Sequence, residues 1–126
     1  MKLRLSQIAH ARSGDKADRA DIGLFAWGAE GYAALLQVVT PSRVAEHFAH
    51  HLGSNDAARI ERYPLPHILA IKLVLNGALS GGASHSLRSD NLGKTIAAQL
   101  LRMEIELPDA EADALLAEAK RAIESI

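Results

Sequence analysis

The charged residues between positions 9 and 23 are the first candidates for chemistry, in the sequence AHARSGDKADRADIG. We predict a loop here with a bend at Ser13 and Gly14, because glycine permits a positive-φ turn. In such a turn, backbone N–H groups and the side chains of Arg12 and Lys16 converge on a carboxylate or phosphate. The alternative is a charged surface turn without a ligand, in which each ion pair contributes about 0–1 kcal/mol to stability.

Asp15 and Lys16 are the predicted catalytic residues of this segment. A carboxylate next to an amine can perform general acid–base work if burial moves one pKa toward neutrality. The sequence does not show burial, so both an acid–base role and a simple ionic role stay open.

A second candidate segment begins after an apolar run, with a Gly- and Ser-rich loop at residues 77–88. Gly93 in the first turn of the following predicted helix, together with Lys94, favours an anion through free N–H groups and the helix dipole. Capping of that helix by Asp90 is an equally good explanation. We expect the two segments to form one pocket for an anionic small molecule. Its predicted ligand-binding residues are Arg12, Ser13, Gly14, Asn76, Gly81, Gly82, Arg88, Gly93 and Lys94.

Other kinds of site fit the sequence less well. His47 and His51 have a spacing that can place two imidazoles on one metal ion, but no third ligand is evident and we predict no metal site. Arg88 occupies the position where a phosphate loop requires glycine. No serine lies in a Gly-x-Ser-x-Gly turn, and the absence of cysteine excludes thiolate chemistry and disulfides. We predict no cofactor.

Composition indicates one globular domain covering residues 1–126. Hydrophobic residues make up 48% and charged residues 23% of the chain, which argues against disorder. A formal net charge of -1 and 4% aromatic residues argue against nucleic-acid binding. The N-terminus alternates charged and apolar residues, so we predict neither a signal peptide nor a membrane span, and a cytoplasmic location.

The periodicity of apolar residues predicts an α+β protein. The predicted elements are strands at 3–9 and 21–27, helices at 32–39 and 41–52, strands at 58–63 and 68–75, a helix at 90–103, a strand at 104–107 and a helix at 109–126. Helices then cover one face of a mostly antiparallel sheet. With the second strand set aside as an insertion, the order becomes the split β-α-β pattern of a ferredoxin-like sandwich.

The last predicted helix is amphipathic, with an apolar stripe that includes Leu115, Leu116 and Ile123. It follows a core of about residues 3–107, and its stripe must be covered by the sheet, a second copy or a partner. We therefore predict a homo-oligomer.

Four ordered motifs together resemble a known family. They are AHARSGDKAD at 9–18, DIG at 21–23, VAEHF at 44–48 and NGALSGGASHSLRSDNLGKT at 76–95. The chain resembles the AtuA-like ferredoxin-fold domain over residues 3–107. This domain forms the C-terminal part of acyclic terpene utilisation (AtuA-type) proteins and also occurs as a separate small chain. The chain departs from the family pattern at Ala17, Ser80 and Ala83.

The resemblance implies a ferredoxin-like sandwich and a role in acyclic terpenoid or branched-chain acyl-CoA catabolism. The expected function is a small subunit or binding module that associates with a separate AtuA-type large chain and contributes a site for an acyl-CoA or carboxylate. The alternative is a stand-alone lyase, hydratase or isomerase that uses Asp15 and Lys16 as an acid–base pair.

Overall fold

The computed structural model describes residues 1–16, 19–49, 56–76 and 92–126, with the side chains of residues 15, 16 and 92–95 left out of the description. The strands among these residues are β1 (Lys2–Arg4), β2 (Ala9–Lys16), β3 (Arg19–Ala26), β4 (Ile60–Leu65), β5 (Ala70–Asn76) and β6 (Glu104–Glu106). The α-helices are α1 (Ala29–Val38), α2 (Pro41–His47), α3 (Leu92–Leu101) and α4 (Asp109–Glu124). Short 3-10 turns precede β2, β4 and β5.

The main sheet has four antiparallel strands in the order β2-β3-β5-β4. From β3 onward the chain follows a β-α-β-β-α-β order, which is that of a ferredoxin-like fold. The last strand, β6, leaves the main sheet and pairs with β1, while β2 takes the sheet edge next to β3. This confirms the predicted α+β ferredoxin-like class.

Among the described residues, helices cover one face of the sheet and the other face is half-exposed. Alternate residues of β3, such as Ile22 and Leu24, are fully buried and lie opposite the buried Leu73 and Ile71 of β5. Helices α1, α2 and α3 contact strands β3, β4 and β2, respectively. We call the half-exposed opposite side the outer face.

The predicted loop in the charged segment is wrong, because β2 and β3 form a long antiparallel hairpin there. Ser13 pairs with Ile22 and Gly14 with Asp21, and Gly14 has no positive φ. The physical reason is the alternation of small or apolar residues with polar ones through both arms, which is the period of a half-buried strand. The second strand is also not an insertion, since β3 lies inside the main sheet.

Two local predictions around α2 and β4 have different outcomes. The Thr40 hydroxyl accepts a hydrogen bond from the Arg43 N–H at 3.2 Å, which confirms the predicted start of α2. The strand β4 continues through Pro64 to Leu65 instead of ending before it. An edge strand tolerates proline because its outward N–H needs no partner in the sheet.

The C-terminal helix α4 packs on the rest of the molecule through Ala112, Leu115 and Ala119, all of which are buried. Its Glu118 carboxylate accepts hydrogen bonds from the N–H groups of Gly31 at 2.8 Å and Glu30 at 3.2 Å, in the first turn of α1. Thus α1 and α4 are joined by a side chain that caps a helix N-terminus. In the part of the chain that the structure describes, we find no helix with the length and apolarity required to cross a bilayer.

Candidate functional site

The outer face carries an open hollow at the middle of the hairpin. The register places Arg12 opposite Gly23 and Gly23 opposite Lys72, so that two cations flank a glycine. The next row along the strands begins with Gly14, which lies opposite Asp21. Because strand residues alternate between faces, these side chains share the outer face.

This hollow has a volume of about 300 Å³, and its lining includes Arg12, Gly14, Asp21, Gly23, Phe25 and Lys72. Gly23 leaves room for the Phe25 ring on this face, since a Cβ atom at Gly23 would lie 3.1 Å from Cε2 of Phe25. The glycine backbone and the edge of the Phe25 ring therefore lie together at the floor of the hollow.

The charges around the hollow favour an anion. The side chains of Arg12 and Lys72 make no hydrogen bond or ion pair with any backbone or side-chain group that the structure describes. Arg19, Asp21 and Lys72 line a neighbouring hollow of about 240 Å³. Cations thus outnumber the carboxylate on this part of the outer face, and a guanidinium beside an ammonium suits a carboxylate or phosphate.

A hydrogen-bonded group lies beside the hollow on β4 and β5. The side-chain amide of Asn76 donates to Glu61 Oε2 at 2.7 Å, and the Tyr63 hydroxyl donates to Glu61 Oε1. The hydrogen bonds from Asn76 and then Tyr63 hold the pKa of Glu61 below its usual value. The hydrogen bond to Glu61 in turn raises the pKa of the Tyr63 phenol. Asn76, predicted to bind ligand, is therefore held by Glu61.

The predicted residues of the charged segment lie at different places along β2. Arg12 and Gly14 line the hollow. Ser13 also lines it, but its Oγ is buried and finds no hydrogen-bond partner among the described residues. Asp15 and Lys16 are the last residues of β2, opposite Ala20 and Arg19. Their catalytic role stays a prediction.

The predicted residues of the second segment are described only in part. Gly93 and Lys94 lie in the first turn of α3, which contacts β2. Gly81, Gly82 and Arg88 lie outside the described residues. The prediction of one pocket formed by both segments is therefore not tested.

The sequence analysis missed Lys72 as a site residue. It is the single charge in an apolar run that forms β5, and it is exposed while both of its neighbours are buried. A lone lysine in a strand-forming run of Ile, Leu and Val is the signal that could have identified it. Asp21 and Gly23 were noted as part of the charged segment but not as residues of the site.

The structure describes only one of the two histidines considered for a metal site. The ring nitrogen Nε2 of His47 donates to the backbone oxygen of Gln99 at 2.6 Å, which links α2 to α3. His51 lies outside the described residues. Within the described ranges, no group of three metal-binding side chains is close enough to hold an ion.

An antiparallel sheet with helices on one face and an open opposite face defines a ferredoxin-like α+β domain. Comparison with protein families identifies which domain of this class it is. The AtuA ferredoxin-like domain matches residues 3–106, and the chain belongs to this family. The matched region ends before α4. Searches of curated proteins and of solved structures gave no significant match.

Proposed function

We propose that this chain is a small subunit or binding module that works with an AtuA-type large protein in acyclic terpenoid or branched-chain acyl-CoA catabolism. Membership of the AtuA ferredoxin-like domain family supports the link to AtuA-type proteins. The proposed contribution of the chain is a site for an anionic ligand, an acyl-CoA or a carboxylate. The proposed location of the complex is the cytoplasm.

The observation that carries the ligand proposal is the pair of cationic side chains that line the hollow and have no partner among the described residues. Arg12 and Lys72 approach the hollow from the two strands on either side of β3. Hydrogen bonds to charged groups contribute about 1.5–3 kcal/mol, more than neutral ones do. An anion between the two side chains would be held from both sides.

The hollow that the described residues form is open to solvent on one side, which supports a role for a second protein. A site on a sheet face leaves much of a bound ligand in water, whereas ligand pockets usually bury about 70–90% of the ligand surface. A large chain docked on the outer face, or a second copy of this chain, would complete the enclosure.

Calorimetric titration of the 126-residue chain with an acyl-CoA and with a short branched carboxylate tests the ligand proposal. Arg12→Met and Lys72→Met should each weaken binding about tenfold or more, which corresponds to the loss of one charge-assisted hydrogen bond. Lys120→Met is the matched control, because Lys120 is an exposed lysine on α4. Equal affinities for all four proteins would contradict the proposed site.

Co-purification with an AtuA-type large protein, followed by size exclusion with light scattering, tests the subunit proposal. We expect a complex, or a dimer or larger form of the chain alone. A 13.5 kDa monomer that is unchanged by the large protein would contradict this part of the proposal.

A further inference from the structure

Three aromatic rings form a cluster at the border of the hollow. His10 and Phe25 lie opposite each other on β2 and β3, with ring centroids 5.1 Å apart and an angle of 15° between the planes. The His10 ring also contacts Trp27, at 4.5 Å between centroids and 38°. Phe25 belongs both to this aromatic cluster and to the lining of the hollow. The rings and the two free cations therefore share one continuous surface.

The position of these rings is unusual for a protein so poor in aromatic residues. The chain has one Trp, two Phe and two Tyr, and the aromatic cluster contains the Trp and one Phe. Its His10 is exposed, and Phe25 and Trp27 are half-buried. Aliphatic side chains such as Ile22, Leu24 and Leu73 fill the core beneath the sheet. Flat apolar rings at a solvent-facing site are surfaces on which a planar ligand group can stack.

We infer that the hollow binds a purine nucleotide group, an inference that rests on the proposed function of the hollow as an anion site. The base stacks on the aromatic cluster, and Arg12 and Lys72 bind phosphate oxygens. The Asp21 carboxylate, also in the lining, accepts a hydrogen bond from a ribose hydroxyl. A simple carboxylate would use the cations and leave the rings and Asp21 without a role. The nucleotide end of coenzyme A and a free adenine nucleotide both have this chemistry.

The volume of the hollow among the described residues suits a compact ligand group. Its volume of about 300 Å³ is at the lower limit for small-molecule sites, about 300–1,000 Å³. If the ligand is a coenzyme A thioester, its pantetheine and acyl parts must extend beyond the hollow. Single-stranded nucleic acid also stacks on aromatic rings, but it requires a basic groove that follows several phosphates. The net charge of -1 favours a single nucleotide.

The fluorescence of Trp27, the one tryptophan of the chain, reports directly on the aromatic cluster. Adenosine 3′,5′-bisphosphate, the nucleotide end of coenzyme A, should change this fluorescence in a saturable way, and calorimetry should give the same affinity. Phe25→Leu keeps an apolar side chain but removes the flat ring, and should weaken binding at least fivefold, the lower end of the loss of one stacked base. His10→Leu serves as a second variant of the aromatic cluster in case Phe25→Leu does not fold. His67→Leu is the control, because His67 is an exposed aromatic residue in the turn between β4 and β5, outside the aromatic cluster and the lining of the hollow.

Comparison of ligands separates the possible outcomes. Tighter binding of adenosine 3′,5′-bisphosphate and coenzyme A than of AMP supports a coenzyme A ligand, and equal binding of all three supports a free nucleotide; both outcomes support a purine nucleotide. Binding of a short carboxylate as tight as that of the nucleotides, with no effect of Phe25→Leu, would overturn the nucleotide inference and leave the proposed anion site standing. Tighter binding of an oligoadenylate RNA than of any mononucleotide would overturn it in favour of nucleic acid. If no anion binds in a way that depends on Arg12 and Lys72, both the inference and the proposed function fail.

Discussion

Gly23 combines two properties in one residue, since it is a weak strand former and a small residue at the floor of the hollow. It lies in the interior of β3 between Arg12 and Lys72, and a Cβ atom there would contact the ring of Phe25. Glycine weakens a strand interior, so its presence at the floor of the hollow is better explained by the close approach of the Phe25 ring than by strand stability.

Substitution of Gly23 by valine should separate these two properties. Valine is a better strand residue, and the half-exposed Phe25 ring can move by a few tenths of an ångström, so we expect the free energy of unfolding to change by less than about 1 kcal/mol. The side chain would fill the floor of the hollow and abolish anion binding. Urea unfolding and calorimetric titration of the same preparation measure both effects. Full affinity in a stably folded Gly23→Val protein would show that the ligand binds elsewhere.

Asp15 and Lys16 provide the test of the enzymatic alternative. If the chain itself catalyses a reaction on an acyl-CoA or carboxylate through these residues, Asp15→Asn and Lys16→Met should each reduce kcat by about 10²–10⁴, the usual contribution of a general acid or base. Circular dichroism confirms that the variants keep their fold. An unchanged rate in either variant would remove that residue from the mechanism.

At the level of elements, Glu61 ties β4 to β5 through its hydrogen bonds with Tyr63 and Asn76. The folded-state pKa of Glu61 lies below the usual value of 4.5, so its contribution to stability is present above pH 4.5 and lost as the pH falls through the lowered pKa. The pKa of Tyr63 is raised above 10.0, so its contribution is present below pH 10.0 and lost as the pH rises through the raised pKa.

The variant Glu61→Gln should therefore flatten the pH dependence of stability at both ends. Thermal unfolding from pH 2.5 to 11 should show a shallower loss of Tm in acid and in base than the unmodified chain shows. Glu111→Gln, at an exposed position in the first turn of α4, is the control for a general loss of charge. An acid limb that is identical in Glu61→Gln and the unmodified chain would contradict the role given to these hydrogen bonds.

The contact between α4 and α1 depends on Glu118. Its carboxylate accepts hydrogen bonds from two N–H groups at the N-terminus of α1, and a Cβ atom at Gly28 would overlap the Glu118 side chain. Glu118→Ala should lower the free energy of unfolding by about 1–2 kcal/mol, the cost of a lost N-terminal cap. Chemical denaturation measures the difference, with Glu111→Ala as the matched control on the same helix. A change no larger than that of the control would mean that apolar packing alone holds α4.

At the scale of the whole molecule, exposed apolar side chains lie where β4 turns into β5, next to Leu65 of the lining of the hollow. Ile68, 58% exposed, belongs to the turn between β4 and β5. If the AtuA-type large protein covers the hollow, Ile68→Asp should weaken co-purification at least fivefold and leave the Tm of the isolated chain within about 2 °C, since exposed substitutions rarely change stability by more than about 0.5 kcal/mol. Ile126, 92% exposed beyond the end of α4, gives the control Ile126→Asp. Equal losses for both variants would indicate a nonspecific effect of charge.

Local periodicity was sufficient to predict most elements, because α1, α3 and α4 carry apolar residues at helical spacing and β5 is a run of β-branched and aliphatic residues. The hairpin was not predicted because the many charged residues suggested a loop. Arg12, Asp21 and their neighbours nevertheless fit a strand that has one face exposed to solvent. The hollow could not be predicted, since it exists only where strands distant in sequence pair. Nothing local to Arg12 shows that Lys72 lies two strands away.

The antiparallel pairing of β1 with β6 affects how this domain can be joined to other proteins. Lys2 pairs with Glu106, so the places where the polypeptide enters and leaves the region common to the family, residues 3–106, run side by side at about the 4.8 Å spacing of neighbouring strands. A unit whose entrance and exit adjoin can be spliced into a surface loop of a host protein without pulling apart the segments on either side. Because β1 and β6 are paired, the domain can also be moved between proteins by recombination while its four-stranded sheet stays intact.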